Sequence, residues 1–302
     1  MADASGGAPR VALLTQHGKE RAIAPVLEPA LGWCIVRVDG FDTDRLGTFT
    51  GDIARQGTQL EAAREKARIG MALSGLHQGL GSEGSFGPDP GSGLLPWNVE
   101  LLVYRDDRLG IEVVGLAQGP AVSGQRVVDD WAAVADFARS VGFPGHQLVV
   151  SSPGGCATGL DPPGALAGPG ASPPPGQGEA RIRKGLTDWP ALEQAYAWAA
   201  AGGGRVQVEV DLRAQANPTR MATIGRAAED LARKLLSTCP ACGAPGYGVV
   251  ERIAGLPCAD CGAPTREPRA EVWGCVRCAQ RQTRARSDRR HADPARCDHC
   301  NP

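Results

Sequence analysis

Aromatic side chains are scarce in this chain of 302 residues: 6 Trp, 3 Tyr and 5 Phe make up 5% of it, and there are only 3 Met. Lysine is scarcer still, since the 32 basic residues divide into 28 Arg and 4 Lys. An excess of either charge is also missing. With 32 Lys+Arg against 33 Asp+Glu the formal net charge is −1, which excludes a globally basic nucleic-acid binder and a strongly acidic solvating chain. No stretch approaches the ~20 consecutive apolar residues that span a bilayer. Residues 1–10 lack the apolar run that follows the basic start of a signal peptide. The expected compartment is therefore the cytoplasm. Ten cysteines are too few for a disulfide scaffold of this length, yet eight of them fall between Cys239 and Cys300.

Glycine and proline are abundant, at 41 and 24 residues. Much of that excess lies in 152–180, a Gly/Pro/Ala/Ser tract that cannot bury a core and reads as a disordered insertion, as do residues 1–9. Between these tracts apolar runs alternate with helical patterns. Strands are expected at 11–14, 34–38, 99–104, 111–115, 146–151, 181–184 and 206–212. Helices are expected at 19–31, 59–76, 129–141, 188–201 and 218–236, the first with Pro25 and Pro29 inside it. Such alternation predicts an α/β fold, a mixed sheet flanked by helices, over 10–237, followed by a small Cys-rich domain over 238–302.

The Cys-rich domain carries four CxxC pairs: Cys239/Cys242, Cys258/Cys261, Cys275/Cys278 and Cys297/Cys300. A CxxC turn brings two thiolates to one side of a knuckle, and two knuckles complete a tetrahedral site that suits zinc. The expectation is two structural zinc ions, with no open coordination position for catalysis. Gaps of 15, 13 and 18 residues separate the pairs. Sequential pairing gives a double zinc ribbon; pairing first with third and second with fourth gives a RING-like cross-brace. The Cys-Pro-Ala-Cys-Gly opening, with a local hairpin through Tyr247–Ile253, favours the sequential arrangement. His291 and His299 read as solvent-facing. The region 239–302 holds ten Arg, no Lys and seven acidic residues, with Arg281, Arg284, Arg286, Arg289 and Arg290 close together. Such a run contacts nucleic acid or is simply a solvated face. The solvated face is favoured, because no aromatic residue interleaves the arginines.

Three polar segments of the α/β body hold more glycine and charge than packing requires. Thr15, His17 and Lys19 lie between the first strand and first helix, where free N–H groups and the helix dipole suit a phosphate. Asp42, Asp44, Thr48, Thr50 and Asp52 precede a helix bearing Glu61, Glu65 and Lys66. Glu83 and Ser85 sit in the glycine-rich segment 81–88, whose carboxylate reads as an exposed ligand position or a plain turn residue. Asp211 and Arg213 close a strand, and Asn217 caps the helix carrying Arg220.

Taken together, residues 15–20, 42–44, 46–51, 82–88 and 217–221 with the four knuckles resemble a bacterial domain-of-unknown-function family. At a more remote level the order of motifs is similar to the inosine/xanthosine triphosphate pyrophosphatase superfamily. Lys19 stands in the loop after the first strand, though without that family's Asn. Glu61, Ala63, Lys66 and Ala67 echo its helix pattern, and Glu83 its acidic strand end. The resemblance implies a Mg²⁺-dependent nucleotide phosphohydrolase in which Glu83 and Glu61 hold the metal and Thr15, His17, Lys19, Lys66, Ser85, Arg213 and Arg220 face the phosphates. The competing expectation is a non-enzymatic zinc-ribbon adaptor or nucleic-acid-associated protein.

Overall fold

The computed structural model describes residues 7–43, 57–152, 182–201 and 205–302. Most of the expected disordered tracts and of the acidic loop bearing Asp44, Thr48, Thr50 and Asp52 lie outside the described residues.

The first half builds a five-stranded sheet in the order β2-β1-β3-β4-β5 from β1 (Arg10–Leu14), β2 (Cys34–Val38), β3 (Gln78–Pro88), β4 (Pro96–Asp106) and β5 (Ile111–Pro120). Strands β2, β1 and β3 are parallel, while β3, β4 and β5 form an antiparallel meander. The expected mixed sheet flanked by helices is this one. Helix α1 (Glu20–Leu31) joins β1 to β2, and α2 (Gln59–Ser74) leads into β3. Pro25 and Pro29 lie four residues apart and are both exposed, so they cost α1 hydrogen bonds only on its solvent side, while Ile23 and Leu27 turn inward.

The glycine-rich segment 81–88 belongs to β3, in the middle of the sheet, and its polar residues are strand residues. The glycines are there for α2. A Cβ on Gly81 would come 1.8 Å from the Ala63 carbonyl oxygen, and one on Gly79 would meet Met71 Cγ at 2.5 Å. With Ala63 and Ala67 facing them, the helix backbone lies directly on the strand.

The later strands form a second, antiparallel sheet in the order β6-β9-β7-β8, from β6 (Gln125–Val128), β7 (Leu148–Ser151), β8 (Ile182–Leu186) and β9 (Val206–Val210). Helices α3 (Trp131–Ser140) and α4 (Trp189–Ala200) cover it, capped by Asp130 and Asp188. Its apolar core, including Val134, Phe137, Leu192 and Val208, is separate from the core of the first sheet around Leu13, Leu27, Leu102 and Leu231. The two are laced by α5 (Pro218–Leu236), which packs on α1, β4 and β5. At its start the Asn217 side chain accepts from the Arg220 N–H and donates to the Val122 carbonyl, and Thr219 bonds His146.

The C-terminal region is a three-stranded meander of β10 (Gly248–Ala254), β11 (Pro268–Gly274) and β12 (Arg281–Ala285). No described helix is long and apolar enough to cross a membrane.

Candidate functional site

The meander decides how the cysteines pair. The first knuckle precedes β10 and the third follows β11, so the antiparallel register Gly248↔Gly274 brings them to one end of the sheet. The second lies between β10 and β11 and the fourth beyond β12, at the opposite end. Cys239, Cys242, Cys275 and Cys278 accordingly form one cluster, and Cys258, Cys261, Cys297 and Cys300 the other. This corrects the sequential pairing favoured above: Tyr247–Ile253 runs into a single strand, with no hairpin to close the first two knuckles on each other.

Sulfur–sulfur distances of 3.8 Å (Cys239–Cys278), 3.7 Å (Cys242–Cys275), 3.8 Å (Cys258–Cys300) and 3.7 Å (Cys261–Cys297) are far too long for disulfides. They match the ~3.8 Å edge of a tetrahedron whose metal–sulfur bonds are ~2.3 Å. Backbone N–H groups of Arg277 and Cys278 point at Cys275 Sγ (3.3 and 3.4 Å). Those of Cys300 and His299 pull the Cys297 thiol down to about 7. The two clusters are compatible with two structural metal ions, and zinc suits four thiolates in this geometry. Both His291 and His299 are exposed and outside these clusters.

The second site lies where the chain leaves β1 for β2 on one side and later returns as β3 on the other. In an α/β sheet such a switch point opens a crevice beyond the strand ends. The crevice is lined by Leu14, Thr15, Gln16, His17, Lys19, Thr43, Lys66, Ser82, Glu83 and Arg220. Of the nine site residues expected in the body, six line this crevice and three do not. Thr15, His17, Lys19, Lys66, Glu83 and Arg220 meet in the crevice; Glu61, Ser85 and Arg213 do not line it.

Lys19 is 6% exposed and donates to the Ser82 carbonyl (2.9 Å) and hydroxyl (3.2 Å). Burial first, then the positive charges of Arg220 and Lys66, push its pKa down to about 7 against the partial support of Glu100 and Glu83. Lys66 reaches Glu83 at 2.5 Å. Arg220, 1% exposed, pairs with Glu100 at 2.7 Å and donates to the Leu212 carbonyl at 2.6 Å. Glu100 is itself fully buried and also accepts from Asn98 at 3.0 Å. Gly84 leaves room for this pair, since a Cβ there would stand 2.1 Å from Glu100 Oε1.

The remaining expected residues have structural occupations. Glu61 is exposed and closes a capping box, accepting from the Thr58 N–H at 2.7 Å and the Thr58 hydroxyl at 2.9 Å. Ser85 donates to Gln59 at 3.0 Å, and Arg213 is held by Asp211 through a contact of 2.6 Å. The implied Mg²⁺ does not fit the described residues. Among the described residues Glu83 is the one carboxylate lining the crevice, it is engaged by Lys66, and outside the cysteine clusters no described group of three His, Cys, Asp or Glu could hold a metal.

Sequence reasoning missed Gln16, Thr43, Ser82 and Glu100. Gln16 ties the loop after β1 to Thr43 after β2, accepting from its N–H at 3.0 Å and its hydroxyl at 2.8 Å. Glu100 did leave a signal: it shares its strand phase with Asn98, Leu102, Tyr104 and Asp106, all buried. A charge in phase with core residues marks a buried ion needing a partner.

A family model described as a domain of unknown function (DUF6671) matches residues 66–156 and 175–302. The chain belongs to this family. The matched span takes in β3 to β12 with Lys66, Glu83, Arg220 and all eight cysteines, and leaves β1, α1 and β2 outside it. No curated protein and no solved structure matches the chain.

Proposed function

We propose that the crevice binds the phosphate end of a small phosphorylated molecule, of which a nucleotide is the leading candidate. The observation that carries this reading is the charge count of a largely buried cluster. Among the described residues Lys19, Lys66 and Arg220 face two carboxylates, Glu83 and Glu100, which leaves one positive charge over whenever Lys19 is protonated, in a site where water screens poorly. An anion entering the crevice balances it. Thr15 and Ser82 hydroxyls and the N-terminal end of the 12-residue α1 add donors of the kind phosphate oxygens take. The cavity is narrow, about 30 Å³, which favours entry of a charged end over that of a purine ring.

Binding is read by thermal stabilisation and calorimetry with phosphate, pyrophosphate and nucleoside mono-, di- and triphosphates. At least one should bind, and Lys66→Met or Lys19→Met should weaken it by tenfold or more. A flat response to the whole panel would reject the reading. Nucleotide hydrolysis is a separate question, tested by phosphate and pyrophosphate release with Mg²⁺ from wild type and Glu83→Gln. No release leaves a binding module; equal release by both proteins removes Glu83 from the chemistry. For the cysteine clusters we infer zinc, and intact-mass measurement of the native protein should find two per chain.

A further inference from the structure

The sheet of the C-terminal module has an open face with chemistry of its own. On β11 and β12 the residues Glu271, Trp273, Gln282 and Arg284 share one face, since Glu271 pairs with Arg284 and Trp273 with Gln282 across the register. This puts the Arg284 guanidinium 4.3 Å from the centre of the Trp273 ring and 5.9 Å from that of Tyr247. The aromatic partners missing between the arginines in sequence are supplied by β11 and by the residue that precedes β10. Beside the stack opens a groove of about 660 Å³ whose lining includes Arg252, Arg284, Arg286, Arg289 and Arg296.

The arginines are held in place. Glu267, 9% exposed, sits under three of them, at 3.2 Å from Arg286, 3.3 Å from Arg289 and 3.7 Å from Arg296. Asp288 meets Arg286 at 2.5 Å and Arg289 at 3.6 Å, and Glu271 meets Arg252 at 3.5 Å. The groove thus lines up five guanidiniums against three carboxylates, an excess of two positive charges. The carboxylates fix the planes of the arginines without cancelling them.

We propose that this groove binds single-stranded nucleic acid. Charge complementarity selects a polyanion. The exposed guanidinium stacked on an indole selects unpaired bases, because only an unstacked base has a free face to lay against it. A duplex offers the same charge but no such face. An acidic peptide offers charge without rings.

The test uses the full-length, metal-loaded protein and a fluorescein-labelled 12-nucleotide single strand, followed by anisotropy. Binding is expected at 50 mM salt and should weaken about tenfold by 200 mM, as for two or three phosphate contacts. Arg284→Ala and Arg289→Ala, both at exposed positions, should each weaken it at least fivefold with metal content unchanged, and Arg139→Ala on α3 should leave it unaltered. No binding at 50 mM salt, or binding indifferent to Arg284→Ala and Arg289→Ala, would overturn the proposal. So would equal affinity for the matching duplex or for polyglutamate.

Discussion

Lys19 is the residue at which the crevice and the solution pH meet. Its ammonium form is disfavoured by burial and by Arg220 and Lys66, and supported by Glu100 and Glu83; His17 also faces the crevice. With a pKa of about 7 in the fold against 10.5 unfolded, the unfolded chain holds more protons between these values, so this residue makes folding stability rise with pH there. Anion binding has the opposite sign, because it needs the charged form. Sulfate keeps a constant charge through this range and is the suitable probe. Its affinity should fall as pH rises from 6 to 9, with proton uptake seen by calorimetry in buffers of different ionisation enthalpy. Lys19→Met should remove that slope.

Gly81 is the complementary case, where the absence of a side chain matters. A methyl group there would overlap the Ala63 carbonyl and stand 2.8 Å from the Ala67 nitrogen. Gly81→Ala should cost more than about 2 kcal/mol in urea unfolding, because both obstacles are helix backbone. Glu61 shows why residue type alone misleads: a capping box and a metal ligand both call for a carboxylate at the start of a helix. Only the distance to Thr58 separates them.

At the scale of elements, the cross-brace follows from strand direction. Two knuckles can share a metal only if they lie at one end of the meander, and successive knuckles alternate ends. Each strand rises ~3.4 Å per residue, so β11, with 7 residues, holds the two clusters roughly 20 Å apart. In ¹¹³Cd-substituted protein, one cadmium should correlate with Cys239, Cys242, Cys275 and Cys278 and the other with the remaining four. A cadmium shared by Cys239 and Cys258 would contradict this arrangement. Helices were the legible elements, since their caps and 3.6-residue periodicity are local. Thus α5 begins at Pro218 after Asn217 as expected, and Asp188→Ala should cost about 1 kcal/mol through loss of the α4 cap. Strand β3 was not legible. Its glycines read as turns, and the helix they accommodate lies on another part of the chain.

For the whole molecule, a near-zero net charge conceals separate fields. The region 239–302 carries ten Arg against seven acidic residues, yet two metal-filled four-thiolate sites would each add a formal −2 at its ends. Any attraction of this module for polyanions is therefore confined to the groove of its sheet. The module's apolar core is small, with Tyr247, Leu256, Ala270 and Val272 among its few buried residues. Stripping the metal with a chelator should unfold it, seen as lost amide protection in β10 to β12, while the two sheets of the body keep theirs.

By itself the sequence determined the α/β alternation, the helix limits, the four cysteine knuckles and a polar loop after β1, because each depends on neighbours within a few residues. The tertiary structure decided which knuckles pair, that the strands divide into two sheets, that Glu83 meets Lys66 while Glu61 turns away, and that Glu100 lies beneath Arg220 at a separation of 120 residues. Those outcomes depend on strand order and register. Nothing in the local chain encodes the far partner of a buried charge, only the cost of leaving it without one.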